Sequence, residues 1–154
     1  MIQKANEMFV NKARHVGIIM DGNRRWAKGK GLDYAIGHRK GADTAKSIIS
    51  TAIDIKIKYL TLYAFSSENW KRDPEEIKGL MGLLRYFLKN EINNLEKSGV
   101  RIKVLGDLSL FEDDIKDRIN YAIAKTRQNL KINLIIAINY GSRQEITNSI
   151  RLIL

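Results

Sequence analysis

The sequence predicts an α/β fold, a mostly parallel central sheet flanked by helices, and three observations predict it. Apolar runs of strand length alternate with stretches of helical periodicity in the order βαβαβαβα. The runs over residues 59–65 and 133–139 have the nearly all apolar character of strands buried on both faces. Each run gives way to a polar or glycine turn, and an open parallel sheet gathers its ligand-binding loops at those strand ends.

Residues 1–14 are polar and lack a clear period, which predicts an N-terminal arm ahead of a single domain over residues 15–154. Residues 15–20 form the first strand, stopped by Asp21-Gly22-Asn23. Five glycines between residues 21 and 41 predict a loop built for close backbone approach or for movement. Within residues 42–56, Ala45, Ile48, Ile49, Ala52 and Ile53 recur at helical spacing. Residues 59–65 make the second strand and residues 66–72 its exit loop. Asp73 as N-cap, Pro74 at the first helical position and Glu76 closing a capping box then start a helix. Ile77, Leu80, Met81, Leu84, Phe87, Leu88, Ile92 and Leu95 give that helix one wide apolar face, and it ends at Ser98-Gly99. A third strand over residues 101–105 leaves at Gly106-Asp107, and Ile115, Ile119, Ala122 and Ile123 mark a helix over residues 112–127. Residues 133–139 form the fourth strand, Tyr140-Gly141-Ser142 a turn, and a last helix begins near Arg143 with Ile146, Ile150 and Ile153 on one face.

With 44% apolar and 29% charged residues over 154 positions, the composition is that of an ordinary globular domain. The absence of cysteine excludes a disulfide scaffold and a thiolate metal site, and fits a reducing compartment. No apolar run is long enough to cross a bilayer and residues 1–10 lack the core of a secretory signal, so a cytoplasmic location is expected. The formal charge of +10 asks for an anionic partner: nucleic acid, a membrane surface or a phosphorylated small molecule. Most lysines are scattered in a way that solubility alone explains, whereas Arg24, Arg25, Lys28 and Lys30 are clustered.

The chemistry-bearing residues fall at the strand exits. Asp21 suits a Mg²⁺ ligand, since that ion takes one or two carboxylates and completes its shell with phosphate and water; it equally suits an Asx-turn. Gly22 and Asn23 can bring backbone N–H groups to a phosphate, although DGN is also common turn chemistry. Arg24, Arg25, His38, Arg39 and Arg72 offer contacts for a diphosphate, or are solvated surface charge. Ser66, Ser67 and Asn69 can position a substrate or relay a proton, and Trp70 can cover an apolar ligand or simply pack. Phosphate loops of the GxxxxGK[ST] and GxGxxG types are absent, as is a serine elbow, and two histidines are too few to support a triad or a zinc site.

Taken together, HVGIIMDGNRRWA, GHRKGA, YLTLYAFSSENWKR and INYGSRQEI resemble the cis-prenyltransferase family in its bacterial undecaprenyl diphosphate synthase branch, from about His15 onward. The resemblance implies a cis-prenyltransferase type of sheet and a reaction that condenses isopentenyl diphosphate with an allylic diphosphate such as farnesyl diphosphate, giving a cis-polyprenyl diphosphate. It implies that Asp21 is catalytic and binds Mg²⁺, and that Gly22, Asn23, Arg24, Arg25, Trp26 and His38 hold the allylic diphosphate. It further implies that Ser66, Ser67, Glu68, Trp70 and Arg72 contact substrate, that Asn69 accepts a proton, and that Leu80, Leu83 and Leu84 face the tunnel for the growing chain. A homodimer, no nucleic-acid partner and peripheral membrane contact through the lipid product are implied as well.

Three departures from the family pattern stand out: Tyr34 replaces an arginine, Ser142 replaces the second glycine of NYGGR, and the chain stops at Leu154 before the RxGGExRxSNF region. That region belongs to the isopentenyl diphosphate half-site and the last strands of the sheet, so weak allylic binding and little condensation are expected of the chain alone. Two other classes compete: a non-catalytic diphosphate-binding partner subunit and a basic α/β nucleic-acid-binding module, the latter recognised by salt-dependent binding that pyrophosphate does not compete.

Overall fold

The computed structural model describes residues 13–153. Of the arm expected over residues 1–14, only Ala13 and Arg14 lie among these, and the Arg14 carbonyl accepts a hydrogen bond of 3.0 Å from the Tyr59 N–H.

The elements follow in the order β1 (His15–Ile19), α1 (Asn23–Gly29), α2 (Tyr34–Asp54), β2 (Tyr59–Ser66), a 3₁₀ turn (Ser67–Lys71), α3 (Pro74–Asn90), α4 (Ile92–Lys97), β3 (Val100–Leu105), α5 (Asp113–Thr126), β4 (Ile132–Tyr140) and α6 (Ser142–Ile153). The four strands are parallel throughout and lie in the order β1-β2-β4-β3, confirming the predicted fold class. The core runs along Leu60 and Leu62 of β2, Val100 and Ile102 of β3 and Ile132, Leu134 and Ile138 of β4. Ile49 of α2, Leu88 of α3, Ile92 of α4 and Ile115 and Ile119 of α5 close over it.

Three expectations are corrected. The glycine-rich stretch over residues 21–41 is largely helical, carrying α1 and the first two turns of α2, which begins at Tyr34 rather than Ala42. Two of its glycines serve close packing between helices: a Cβ on Gly37 would overlap the Asn23 carbonyl oxygen, and one on Gly41 the Asn23 side chain. The long helix after Pro74 is broken at Glu91, whose φ of −100° ends α3 and sends α4 off separately. Finally, β2 is fully buried along one face only, through Leu60, Leu62 and Phe65, while Tyr59 and Ala64 are exposed.

The switch from Leu62 to Phe65 has a cause in the register. Tyr63 opposes Ala137 and Phe65 opposes Ile138, so Ala64 is an extra residue on β2. Phe65 opposes Ile138 and Ser66 opposes Tyr140, so Asn139 is an extra residue on β4. Two bulges on adjacent strands compensate each other at the carboxyl end of the sheet, where bulges re-aim side chains. No helix among the described residues is long and apolar enough to cross a membrane. The predicted apolar face of α6, at Ile146, Ile150 and Ile153, is exposed.

Candidate functional site

β1 ends against β2, and Gly22, at φ 88°, turns the chain from Asp21 into α1. A side chain at Gly22 would be strained, so glycine is what lets Asp21 stand at the strand exit with Arg24 and Arg25 one turn on. The Asp21 carboxylate accepts from the Gly22 N–H at 2.6 Å and from Arg25 Nη2 at 2.8 Å. Both charged side chains are more than 70% exposed, at 72% and 79%.

Across from this turn, Ser66 and Asn69 form a reciprocal capping box on the 3₁₀ turn: the Glu68 N–H donates to Ser66 Oγ at 3.1 Å, and the Ser66 N–H donates to Asn69 Oδ1 at 3.0 Å. The stretch expected as an exit loop is therefore a 3₁₀ turn whose cap holds the Asn69 amide.

Glu76 is the correction with most consequence for the site. The predicted capping box at α3 does not form. Asp73 caps the Glu75 N–H at 2.9 Å, with Pro74 behind it as expected, while the Glu76 carboxylate turns inward and is 1% exposed. It accepts from Arg72 Nη1 at 2.8 Å, Arg24 Nη1 at 3.0 Å and His38 Nε2 at 3.1 Å. Burial pushes the Glu76 carboxyl up, but the hydrogen bonds from His38 and Arg72 and the charges of Arg72 and Arg24 outweigh it and hold the group below its ordinary value. The spacing of Arg72 and Glu76, four residues apart, was visible in the sequence as an ion-pair signal. The contacts to Arg24 and His38 span 52 and 38 residues and had no local signature.

These groups rim a cleft of about 570 Å³. Of the predicted site residues, Asp21, Gly22, Asn23, Arg24, Arg25, His38, Ser66, Glu68, Asn69 and Arg72 line it. Its wall is apolar, with Leu80, Leu83, Leu84 and Phe87 of α3 opposite Leu62, Ile136 and Ile138 of the sheet. Tyr63 and Phe111 also line it and were not singled out as site residues; neither is marked off in the sequence from an ordinary core aromatic.

Four predicted residues do not line the cleft, the first of them Arg39, exposed on α2. Trp26 is 42% exposed on α1 with Lys30 Nζ 5.4 Å from its ring centroid. Ser67 faces Gly141, where a Cβ would overlap its Oγ. Trp70 packs edge-on to Phe65 and Phe111 at 5.0 and 5.4 Å, and its indole N–H donates to Asn139 Oδ1 at 2.9 Å. Tyr34, at the departure from the family pattern, stands edge-on to His38 at 6.1 Å. Desolvation and then the carboxylates of Asp33, Asp73, Glu76 and Glu75 hold its hydroxyl above the ordinary tyrosine value.

Three guanidiniums, Arg24, Arg25 and Arg72, and two carboxylates, Asp21 and Glu68, line the same cleft, while the buried Glu76 carboxylate holds Arg24 and Arg72 from beneath. Among the described residues no three acidic, histidine or cysteine side chains form a ready metal cage. Asp21, 72% exposed, offers a hard, solvent-facing oxygen at the mouth, and the exposed Glu68 a second in the same cleft, a set that suits an ion keeping most of its shell as water and phosphate. Chemically, the arrangement is a polar rim able to hold an anion over an apolar wall able to hold a hydrocarbon.

Comparison with known proteins points the same way. The family model for undecaprenyl diphosphate synthase, a prenyltransferase, matches residues 19–154. The isoprenyl transferase of Clostridium perfringens is 49% identical over 138 residues, covering 90% of this chain and 54% of that protein. The isoprenyl transferase of Rickettsia bellii is 51% identical over 136 residues, 88% of this chain and 60% of its own length. Among solved structures, lavandulyl diphosphate synthase from Lavandula x intermedia, in complex with dimethylallyl diphosphate, superposes with a TM-score of 0.87 at 35% identity over 91% of this chain and 60% of that one. A probable undecaprenyl diphosphate synthase from Campylobacter jejuni gives 0.76 at 30% identity, over 92% and 62%. The chain thus spans between half and two thirds of the length of these relatives.

Proposed function

Because this chain belongs to the undecaprenyl diphosphate synthase family of prenyltransferases, we propose that its cleft takes the allylic diphosphate, farnesyl diphosphate or a near analogue, in a condensation with isopentenyl diphosphate that lengthens a cis-polyprenyl chain. The observation that supports this is the joining of a rim of arginines to an apolar wall within one cleft of about 570 Å³, the two halves an amphiphilic diphosphate needs.

We assign the steps as follows. The diphosphate lies on the rim, met by Arg24, Arg25 and Arg72, by His38, and by the backbone N–H groups after Gly22. Bidentate guanidinium contacts strengthen as the C–O bond lengthens and negative charge gathers on the leaving group, so they favour the transition state over the bound substrate. The carbon chain lies along Leu80, Leu83, Leu84 and Phe87, which exclude water from the cation-like carbon left behind. Asn69, fixed by its capping box, takes the proton lost as the new double bond forms. Ser66 and Glu68 bound the same corner of the cleft.

Mg²⁺ held by Asp21 would supply charge neutralisation for the departing diphosphate. The chain's own charges favour such an ion. Asp21 pairs with Arg25 at the rim, so arginine charge is released to an anion when a cation takes Asp21 from Arg25.

Titration with farnesyl diphosphate in the presence of Mg²⁺ tests this proposal. Saturable binding that pyrophosphate competes and farnesol does not reproduce is expected. Equal binding of farnesol, or binding to nucleic acid that pyrophosphate leaves intact, would overturn it.

A further inference from the structure

Asn139 does not line the cleft, yet three features of the β4 terminus converge on the turn that does. Asn139 is the bulged residue of β4, 6% exposed, with φ 48°, a conformation that costs most side chains and is tolerated best by asparagine and glycine. Its amide is used at both ends: Oδ1 accepts from the Trp70 indole at 2.9 Å and Nδ2 donates to the Asp107 carbonyl at 2.7 Å. Next to it, the Tyr140 carbonyl accepts from the Tyr63 hydroxyl at 2.7 Å, and Gly141 leaves the space into which Ser67 Oγ fits.

We propose that Asn139 is a positioning residue for the anion-binding rim: it clamps Trp70 to the end of β4 and Asp107 at the exit of β3, and so sets where Asn69 and Arg72, the neighbours of Trp70, stand in the cleft. The geometry requires both parts of asparagine. Its amide carries acceptor and donor on separate atoms, so it reaches two partners that a single hydroxyl oxygen could not span, and the bulge aims it out of the strand toward the 3₁₀ turn rather than into the sheet. Aspartate would set a carboxylate against the Asp107 carbonyl, and glycine would keep the backbone while losing both bonds. The 3₁₀ turn is short and its internal bonds are few, so its attachment to the sheet decides its position.

The inference rests on the proposed function for its consequence but not for its contact, and the test separates the two. In ¹H–¹⁵N spectra of the chain, the Trp70 indole proton, told from that of Trp26 by the Trp26→Phe variant, is expected to exchange slowly. Asn139→Gly should speed that exchange at least about tenfold, an opening of the contact rather than of the whole fold. The same variant should weaken farnesyl diphosphate about fivefold, the equivalent of roughly one hydrogen bond. Trp70→Phe, which removes the donor while keeping an aromatic ring against Phe65 and Phe111, should weaken it comparably, and the double variant should be no worse than the weaker single one. Thr126→Val removes a buried hydroxyl that bonds the Ile102 N–H at the far side of the sheet. At matched loss of stability it should leave farnesyl diphosphate affinity unchanged.

A Trp70 indole proton that stays protected in Asn139→Gly, losses that add in the double variant, or an equal loss of affinity in Thr126→Val would each overturn the positioning role. If the unaltered chain binds no farnesyl diphosphate, the proposed function fails while the exchange measurement still decides the contact.

Discussion

Arg72 Nη1 stands 2.8 Å from Glu76 Oε1 across the junction between the 3₁₀ turn and α3, and the carboxylate it meets is buried while the guanidinium is one-third exposed. That asymmetry organises the rim. Glu76 collects Arg24 from α1, His38 from α2 and Arg72 from the turn, so one buried charge holds three elements and three donors in register. A set of arginines without such an anchor would repel one another and swing into water. Preassembly of this kind spares an incoming anion the cost of ordering them.

Glu76→Gln is expected to lower unfolding stability by roughly 2–4 kcal/mol, since it removes the counter-charge from a buried ion cluster whose arginines can partly escape to solvent. Glu75→Gln, on the exposed side of the same helical turn, should change it by less than about 0.5 kcal/mol. The acid limb carries the same signature. With its carboxyl held below the ordinary value in the folded chain, Glu76 contributes its full stabilisation above the unfolded value near 4.5 and loses it as pH falls through the lower folded value. Urea unfolding from pH 7 to pH 3 should show the gap between the parent chain and Glu76→Gln narrowing toward the acid end; a gap constant with pH would exclude the ion cluster as its source.

The sheet was legible because its strands are short apolar runs between breakers, and the strand exits located the rim before any contact was known. What the sequence concealed was long-range or depended on close approach. Gly37 and Gly41 look like loop residues because glycine frequency signals flexibility, whereas here they seat Asn23 between two helices. Glu76 fits a capping box by spacing, and only its burial beneath Arg24 and His38 shows that it does something else. Trp70 suits ligand cover or packing by sequence, and its edge-on contacts with Phe65 and Phe111 come from distant positions that no local pattern marks.

Gly37→Ala should therefore act on binding as well as on stability. Its Cβ would meet the Asn23 carbonyl, a backbone atom that moves only if α1 moves, and α1 carries Arg24 and Arg25. A loss of about 1–3 kcal/mol is expected from overpacking, together with weaker farnesyl diphosphate binding. Gly29→Ala, with no heavy atom in the way, should instead stabilise by roughly 0.5 kcal/mol. Thermal unfolding of the two variants side by side checks the contrast; an equally mild effect at Gly37 would show that α1 is free to shift.

Asp21→Asn should separate function from folding. The Asp21–Arg25 pair is solvent-exposed, so its loss should change stability by less than about 0.5 kcal/mol. Farnesyl diphosphate affinity in Mg²⁺ should nevertheless drop about tenfold, because a charged oxygen ligand is gone. Chelation with EDTA should produce a similar drop in the parent chain and none in the variant. A variant that still responds to EDTA would place the ion elsewhere.

Leu84→Trp tests the apolar half of the cleft. Leu84 lies on the α3 wall with Leu80 and Leu83, and a tryptophan there adds volume where the proposed hydrocarbon chain runs. A short allylic diphosphate such as dimethylallyl diphosphate would end before the obstruction, while a farnesyl chain would meet it. Affinity for farnesyl diphosphate is expected to fall about tenfold, a cost in the range of a few displaced methylenes, with dimethylallyl diphosphate and pyrophosphate changed by less than about twofold. Competition titrations of the three ligands on one protein sample make the comparison independent of the active fraction. Equal weakening of all three would mean that the substitution distorts the rim; equal retention of all three would mean that the hydrocarbon leaves the cleft by a route that does not pass α3.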